Sequence, residues 1–352
     1  MSLEKSMAKK VASIKSQGAV VDRHGRGVRD LRISVIDRCN YRCPYCMPAE
    51  IFGEAHQFLP RHSWLSAGEI RRVAGLFVQL GVSKIRLTGG EPLLRRDLPE
   101  IVAGLASLDG IDDIALTTNG TRLAERASEL REAGLKRITL SLDSLDPDVF
   151  KAMSGGRGDL DAVLRGLDAA QEAGFDPIKI NATVQRGRND HTVLDLLRHF
   201  RGTGVIVRFI EFMDVGTLNG WSAADVVSSR VLRDQIAEQW PLRSLEENYL
   251  GEVARRYAYE DGEGEIGFIS SVTEPFCGDC HRARLSADGT LYTCLFAAGG
   301  TGLREPLRAG ASDADLVGML QNVWRNRADR YSEIRGRTLT ERERVEMYRM
   351  GG

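Results

Sequence analysis

The sequence lacks the features expected of a membrane protein or a nucleic-acid-binding protein. No apolar run reaches the ~18 residues that span a bilayer, and residues 1–15 have no apolar core of a secretory signal. The formal net charge of the 352 residues is −1, which excludes a dominant cationic surface for nucleic acid or anionic lipid. We therefore expect a cytoplasmic protein that has neither nucleic acid nor a membrane as a partner.

Cysteine is also scarce, and its distribution is informative. All six cysteines fall into two groups of three, separated by more than half of the chain. Disulfides are disfavoured in the cytoplasm, where clustered thiols indicate metal or redox chemistry. The two groups are Cys39, Cys43 and Cys46, and Cys277, Cys280 and Cys294.

Strand-like and helix-like segments alternate from Leu31 onward. A helix is predicted to begin after Ser66, an N-cap residue that is followed three positions later by Glu69. Polar residues follow every strand, and this favours a barrel, whose loops converge at one mouth, over an open doubly wound sheet. The predicted strands are residues 31–36, 84–89, 113–119, 137–143, 178–184 and 205–212.

After about residue 227 the pattern becomes an irregular mixture of short strands and helices. We therefore predict an α/β fold: a partial (β/α)6 TIM-type barrel with a smaller C-terminal α+β domain that carries a second cluster. The predicted divisions are a flexible arm over 1–28, the barrel over 29–227, the C-terminal domain over 228–340 and a tail over 341–352.

The first cysteine group lies in the sequence DRCNYRCPYCMP, residues 37–48. Three thiolates from one short loop can bind three irons of a cubane cluster, which leaves the fourth iron open. Zinc is an alternative, because His56 or His62 could supply a fourth ligand.

The second cysteine group has spacings of two and thirteen residues, with a turn predicted around residues 287–289 that brings Cys294 back. A second close cysteine pair, typical of a zinc ribbon, is missing, which favours another cluster with an open iron. Arg282 and Arg284 lie two apart on a predicted strand, so both point to one face. Their planar guanidinium groups match phosphate oxygens, although a solvated strand face would show the same pattern.

The first loop resembles the signature of radical S-adenosylmethionine (SAM) enzymes, with Tyr45 as the aromatic residue before the last cysteine. The run TGGEPLLR, residues 88–95, is similar to the glycine-rich SAM-binding stretch of that superfamily. The resemblance implies that the open iron binds SAM. It also implies that cluster-driven cleavage of SAM yields a 5′-deoxyadenosyl radical, which abstracts hydrogen from a substrate.

With the second cysteine group included, the chain from about residue 29 onward resembles a narrower group, the GTP 3′,8-cyclase family of molybdenum cofactor biosynthesis. The likeness includes residues 31–48, 86–98, 117–123 and 208–216, the Cys-x2-Cys-x-Arg-x-Arg run, and the final Gly351–Gly352. It implies two [4Fe–4S] clusters bound by the six cysteines, SAM as cofactor, and GTP as the substrate that is cyclised. Its implied SAM contacts are Tyr45, Gly90, Ser141 and Met213. Its implied GTP contacts are Arg32, Arg86, Thr117, Lys179, Arg282, Ala283 and Arg284.

The resemblance also assigns catalytic roles to Arg282, Arg284, Gly351 and Gly352. It implies an external electron donor, a homodimer, and a functional link to a downstream cyclic pyranopterin monophosphate synthase. His281 departs from the family, which usually carries Asn beside these arginines. The N-terminal arm lies outside the resemblance.

Three other functions compete with this interpretation. One is a radical SAM enzyme with an auxiliary cluster that modifies a peptide or another substrate. Another is a non-catalytic binding module with two zinc sites. The third is a two-cluster electron carrier, which would need neither a barrel nor a SAM-type glycine loop.

Overall fold

A single twelve-stranded sheet is the centre of the protein, in a computed structural model that describes residues 20–249, 251–335 and 344–351. The strands lie in the order β12-β11-β10-β1-β2-β3-β4-β5-β6-β9-β8-β7. They are β1 (Asp30–Ser34), β2 (Lys84–Thr88), β3 (Asp113–Thr118), β4 (Arg137–Ser141), β5 (Lys179–Val184), β6 (Ile206–Glu211), β7 (Leu242–Leu245), β8 (Arg255–Tyr259), β9 (Glu265–Ile269), β10 (Arg282–Leu285), β11 (Thr290–Tyr292) and β12 (Thr301–Gly302).

The middle of this sheet is parallel. Strands β1 to β6 follow one another side by side, β10 is added parallel to β1, and β9 is added parallel to β6. Antiparallel strands continue the sheet beyond β10 and β9. The sheet is an open partial barrel, which confirms the predicted fold class. The C-terminal strands join the barrel sheet itself, on both sides.

Helices lie between the parallel strands, as predicted. The predicted start of the first helix is confirmed: Ser66 and Glu69 form a complete capping box. No helix among the described residues has the length and apolarity needed to cross a membrane. The α-helices are α1 (Ala67–Gln79), α2 (Leu98–Ala106), α3 (Ala127–Glu132), α4 (Pro147–Met153), α5 (Leu160–Glu172), α6 (Val193–Phe200), α7 (Ser229–Gln239), α8 (Arg304–Arg308), α9 (Asp313–Arg325), α10 (Tyr331–Ile334) and α11 (Met347–Met350).

Successive side chains along each strand point in turn to the hydrophobic core and to the barrel interior. In β1, Leu31 and Ile33 are fully buried in the core cluster that includes the helices. The neighbouring residues Asp30 and Arg32 line an interior cavity. Because side chains alternate between the two faces of a strand, the polar residues of these apolar strands face the cavity.

The segment before β1 is packed against the rest of the protein. Val20, Asp22, Arg26 and Val28 are all buried. The prediction of a flexible arm over residues 1–28 therefore does not describe residues 20–28. The prediction rested on low hydrophobicity and on the glycine-containing run HGRGVRD at residues 24–30, and neither signal reveals the buried ion pair between Asp22 and Arg26. Residues 1–19 lie outside the described residues.

Candidate active site

A cavity of about 310 Å³ lies inside the barrel, among residues of β1–β6, β9 and β10 and the loops that follow them. All six cysteines line it. The two sets of three cysteines, which are far apart in the sequence, therefore face one shared cavity. The lining also includes the predicted site residues Arg32, Tyr45, Arg86, Gly90, Thr117, Ser141, Met213, Arg282 and Arg284.

The first cysteine loop, residues 37–48, is held by the glycine-rich turn after β2. The Gly90 amide donates to the Ile36 carbonyl at 2.7 Å, and the Glu91 amide donates to the Arg38 carbonyl at 2.8 Å. A Cβ at Gly90 would lie 2.3 Å from the Arg38 carbonyl oxygen, closer than any real Cβ contact. Glycine is therefore required here by the approach of two backbones.

Arg42 stabilises the same loop from within. Its Nε donates to the Phe52 carbonyl at 2.5 Å, and its Nη1 donates to the Cys39 carbonyl at 2.9 Å. The Tyr41 amide lies 3.4 Å from the Cys39 sulfur, which orients that sulfur. The contacts of Arg42 thus shape the loop through its backbone carbonyls, independently of the thiols.

The three thiols of this loop suit an iron–sulfur cluster. Burial raises the pKa of Cys39 to about 12, and burial also raises the pKa values of Cys43 and Cys46. Thiolates in this environment need a positively charged partner, which iron supplies. An amide donor to a ligating sulfur, like the Tyr41 amide, is a typical support of such a site.

Two carboxylates, the partly buried Asp143 and the buried Glu91, line this half of the cavity. Asp143 accepts hydrogen bonds from the Tyr45 hydroxyl at 2.7 Å and the Thr183 amide at 2.8 Å. Glu91 accepts from the Thr118 hydroxyl at 2.7 Å. Burial raises the pKa of Asp143 to about 6 and that of Glu91 to about 7. A cationic ligand would stabilise both in their charged form.

Three arginines lie side by side in the other half of the cavity. The strand register aligns Arg284 of β10 with Arg32 of β1, and Arg32 with Arg86 of β2. Burial and the charges of Arg284 and Arg282 hold the pKa of Arg32 well below its usual value. The buried Nε of Arg32 has no hydrogen-bond partner among the described residues. Burying three guanidinium groups side by side costs folding free energy unless an anion lies between them.

The structure adds two cations to this set. Arg208 donates to the Asn181 side-chain oxygen at 3.0 Å, and burial together with the charge of Arg86 lowers its pKa to about 9. Lys84 also lines the cavity. Both were missed from the sequence, although each, like Arg86, is a cation in a strand rich in apolar residues.

Only some of the predicted GTP contacts line the cavity. Arg86 donates to the Thr117 hydroxyl at 3.1 Å. Lys179 shares a face of β5 with Asn181 but is not among the lining residues, and burial with the charge of Arg208 lowers its pKa to about 8. Ala283 is fully buried, and its backbone pairs with β1.

Cations surround the second cysteine site, which comprises Cys277, Cys280 and Cys294. Arg282 Nη2 lies 3.4 Å from the Cys280 sulfur. Burial would raise the pKa of Cys280, but the charges of Arg282 and Arg327 outweigh it and lower this pKa to about 6. A thiolate ready to bind iron follows from these charges.

Buried ion pairs hold the backbone of this second site. Arg26 donates to the Cys277 carbonyl at 2.5 Å, and Arg327 donates to the Cys280 carbonyl at 2.8 Å. Both guanidinium groups pair with Asp22, at 2.7 and 3.0 Å. Sequence reasoning missed all three residues, because no local pattern links residues 22 and 327.

The histidines lie away from the thiols' shared space. His281 Nδ1 is 2.9 Å from the Gly27 carbonyl oxygen, and the ring does not line the cavity. His56 packs edge-on against Phe52 and Phe58, and His62 is exposed. In the described parts of the chain, no three His, Cys, Asp or Glu side chains are grouped as ligands of one metal ion. Cubane ligands bind separate irons and do not need that grouping.

The C-terminal tail reaches the arginines. The guanidinium of Arg284 donates to the Gly351 carbonyl. A Cβ at Gly351 would overlap the Thr88 hydroxyl, and the φ of Gly351 is +72°, so this position favours glycine for two reasons. Gly352 lies outside the described residues.

Two family models match the chain. The Radical SAM superfamily matches residues 33–200, and Molybdenum Cofactor Synthesis C matches residues 205–333. The chain is therefore an enzyme that uses SAM with an iron–sulfur cluster. The division between the models falls between residues 200 and 205, whereas the predicted boundary at 227 stays a prediction.

Solved structures share the fold at low identity. A Streptococcus suis SuiB structure bound to S-adenosylmethionine has a TM-score of 0.56 and 16% identity, and covers 94% of this chain and 72% of its own. An anSMEcpe structure with bound AdoMet and Cp18Cys peptide has a TM-score of 0.53 and 13% identity, and covers 92% and 94%. These likenesses support the open partial barrel.

Curated relatives are far more similar. A "GTP 3′,8-cyclase" of Xanthomonas campestris pv. campestris (strain B100) is 54% identical over 96% of this chain and 98% of its own. The Staphylococcus carnosus (strain TM300) protein of that name is 43% identical over 95% and 99%. With relatives that match it over nearly their whole length and its own, the chain belongs to the GTP 3′,8-cyclase family of radical SAM enzymes.

Proposed function

We propose that this chain holds two [4Fe–4S] clusters and converts GTP into (8S)-3′,8-cyclo-7,8-dihydroguanosine 5′-triphosphate, an early step of molybdenum cofactor biosynthesis. One observation carries the proposal. Both cysteine sites and the row of Arg284, Arg32 and Arg86 line the same cavity. A radical made at one end can therefore meet a polyanionic substrate bound at the other.

The first cysteine loop provides the SAM half. Cys39, Cys43 and Cys46 would hold a cluster with an open iron, which would supply the electron for SAM cleavage and so the radical chemistry needed at ribose C3′ of GTP. The carboxylates of Asp143 and Glu91 lie where they favour the cationic sulfonium and ammonium groups. Tyr45, Gly90, Ser141 and Met213 are the proposed contacts to SAM.

The arginine row provides the GTP half. A triphosphate carries enough negative charge to neutralise Arg284, Arg32 and Arg86, and its oxygens match their guanidinium geometry. The Nε of Arg32, which has no hydrogen-bond partner in the part of the chain that the structure describes, can donate to a phosphate oxygen. Thr117, Lys179, Arg282 and Ala283 complete the proposed GTP contacts. The second cysteine site, beside Arg282, would hold the cluster that contacts guanine.

The reaction also needs groups from outside the chain. Bond formation between ribose C3′ and guanine C8 leaves one electron and one proton to be supplied, so an external electron donor belongs to the proposal. Gly351 and Gly352 are proposed to act beside Arg284. A homodimer and a downstream cyclic pyranopterin monophosphate synthase are part of the same proposal.

Anaerobic reconstitution followed by turnover tests the function. We expect about eight irons per chain, four in each cubane. Incubation with SAM, GTP and a reductant should yield 5′-deoxyadenosine and a cyclised nucleotide, identified by mass spectrometry. If 5′-deoxyadenosine forms equally without GTP and no nucleotide product appears, the substrate assignment is wrong. Two zinc ions in place of iron would contradict the enzyme itself.

A further inference from the structure

A buried carboxylate outside the cavity connects the tail to the barrel. Asp214 follows β6, directly after the proposed SAM contact Met213, and its side chain is only 10% exposed. A carboxylate at this depth needs positive partners, and its own strand provides none that reaches it. Its partners come from the end of the chain.

Three side chains from that end converge on Asp214. Arg335 Nε lies 2.8 Å from Oδ1, and Arg344 Nη1 lies 2.8 Å from Oδ2. The Tyr331 hydroxyl donates to Oδ2 at 2.5 Å. Arg344 also donates to the Asp214 backbone carbonyl. We call Asp214, Tyr331, Arg335 and Arg344 the Asp214 cluster.

The Asp214 cluster also touches the second cysteine site. The Tyr331 ring stacks on Phe296 with centroids 4.5 Å apart, and the Arg335 guanidinium lies 5.2 Å from the Phe296 centroid. The Phe296 amide in turn lies 3.5 Å from the Cys294 sulfur. One carboxylate therefore connects the loop after β6 with a cluster ligand.

Beyond Arg344 the tail follows a defined path into the barrel. The Val345 amide donates to the Ala297 carbonyl at 3.0 Å, and Glu346 accepts from the Thr217 amide at 2.8 Å. Tyr348 packs edge-on against Phe52 with centroids 5.1 Å apart. Gly351 then meets Arg284. Arg344 is the first described residue of this path, and its contacts with Asp214 anchor the path to the loop after β6.

We propose that Asp214 is a positioning residue for GTP cyclisation: it fixes the start of the tail through Arg344 and so aligns Gly351 with Arg284. This inference rests on the proposed function and deepens it. Asp214 does not touch the reacting atoms. It acts through two ion pairs in a nearly dry site, where charge pairs are screened little by solvent.

Asp214→Asn in the reconstituted holoenzyme tests the role, because Asn keeps the shape and an acceptor for Tyr331 but loses the charge. We expect cyclised product to fall about 100-fold, the scale expected when a distant contact misplaces a reacting group. Iron content and 5′-deoxyadenosine formation should stay within about twofold. Hydrogen–deuterium exchange of the 344–352 peptide should rise about 10-fold or more, which a general structural defect would not confine to the tail.

Asp195→Asn is the matched control, because Asp195 forms an exposed ion pair with Arg198 on α6. It should change none of these readouts. Asp214→Glu, which restores the charge, should recover part of the tail protection. Unchanged exchange of the tail in Asp214→Asn would overturn the inference. If the wild-type chain forms no cyclised nucleotide, the proposed function fails, while the exchange comparison still decides the role of Asp214.

Arg344→Ala provides a second variant that leaves the barrel untouched. It should reproduce the loss of product and of tail protection. Combined with Asp214→Asn, it should add little, since both changes remove the same ion pair. Full additivity of the two losses, or normal turnover of Arg344→Ala, would contradict the inference.

Discussion

The two cysteine sites share one cavity but differ in the charges that lie nearest their thiols. Around the first, Asp143 and the buried Glu91 line the cavity, and burial raises the pKa of Cys39 to about 12. Around the second, Arg282 and Arg327 bring the pKa of Cys280 down to about 6 against the effect of burial. The first surroundings suit a cationic ligand such as SAM, and the second suit an anion such as GTP.

The comparison favours the proposal that cysteine spacing marks the two cluster sites, and that the neighbouring charges select the ligand of each. The mechanical support differs as well. Backbone contacts at Gly90 and carbonyl contacts from Arg42 hold the first loop. Ion pairs centred on Asp22 hold the second. Loss of the contacts that hold the first cysteine site should therefore affect SAM cleavage, and loss of those that hold the second should affect GTP conversion.

Removing one thiol from each site is the strongest test of this division. Cys43→Ala and Cys280→Ala should each retain about four irons, because each loses one of two cubanes. Cys43→Ala should form no detectable 5′-deoxyadenosine. Cys280→Ala should still form it but make no cyclised nucleotide. Iron analysis and chromatography of the products measure both, and equal loss of 5′-deoxyadenosine in the two variants would refute the division.

Removing the cations from the GTP half should have the next largest effect. Arg282→Ala with Arg284→Ala should lower cyclised product by at least about 100-fold, or about 2.7 kcal/mol of transition-state stabilisation. SAM cleavage should remain. Arg198→Ala, which removes an exposed arginine, is the control. Unchanged GTP turnover in the double variant would exclude a role in phosphate binding.

Removing a carboxylate from the SAM half should have the opposite selectivity. Asp143→Asn should raise KM for SAM about 10-fold, since a buried charge-assisted hydrogen bond contributes on the order of 1.5 kcal/mol. KM for GTP should not change. Tyr45→Phe removes only the hydroxyl that donates to Asp143 and should have a smaller effect. A larger change in KM for GTP than for SAM would reverse the assignment.

The smallest effect is expected at a contact outside the cavity. Arg308 of α8 donates to Glu69 of α1, and this hydrogen bond, opposed by burial, lowers the Glu69 pKa to about 2. A carboxyl group whose pKa is lower in the folded protein stabilises the fold at pH values above its unfolded pKa of 4.5. This stabilisation is lost as the pH falls toward 2.

Urea unfolding of the wild type and Glu69→Gln at pH 7 and pH 3 measures this effect. The difference between the two proteins should shrink at pH 3 by about 0.5 kcal/mol, after allowance for solvent screening. Acid effects that both proteins share cancel in this difference. A difference in the free energy of unfolding that is larger at pH 3 than at pH 7 would contradict the predicted direction. Turnover at pH 7 should be the same for both proteins.

The barrel was predictable because its signals are local. Each predicted strand from 31–36 to 205–212 overlaps an observed one, since alternating polar residues interrupt apolar runs wherever a strand faces the cavity. The turn around residues 287–289 is confirmed between β10 and β11. The pairing of β10 with β1 and of β9 with β6 was not predicted, because no local signal encodes a partner so distant in the chain.

The site was predictable only in part, for the same reason. The thiols and Arg86 stand out in the sequence by spacing or by an unusual setting. Asp22 and Asp214 do not, because a single aspartate gives no sign of the distant arginines that pair with it. Their roles come from arginines more than a hundred residues away. Supports built from such pairs become visible only in three dimensions.

Strand β1 lies between β2 and β10 in the sheet, and this order has a consequence for synthesis of the chain. β1 emerges from the ribosome early, but one of its edges stays unpaired until residues 282–285 have been made. Unpaired parallel edges fold slowly and expose the nascent chain to aggregation. Expression of residues 29–227 alone would leave β1 and β6 each with a permanently open edge. Attempts to divide this protein at its apparent domain boundary should therefore yield insoluble material.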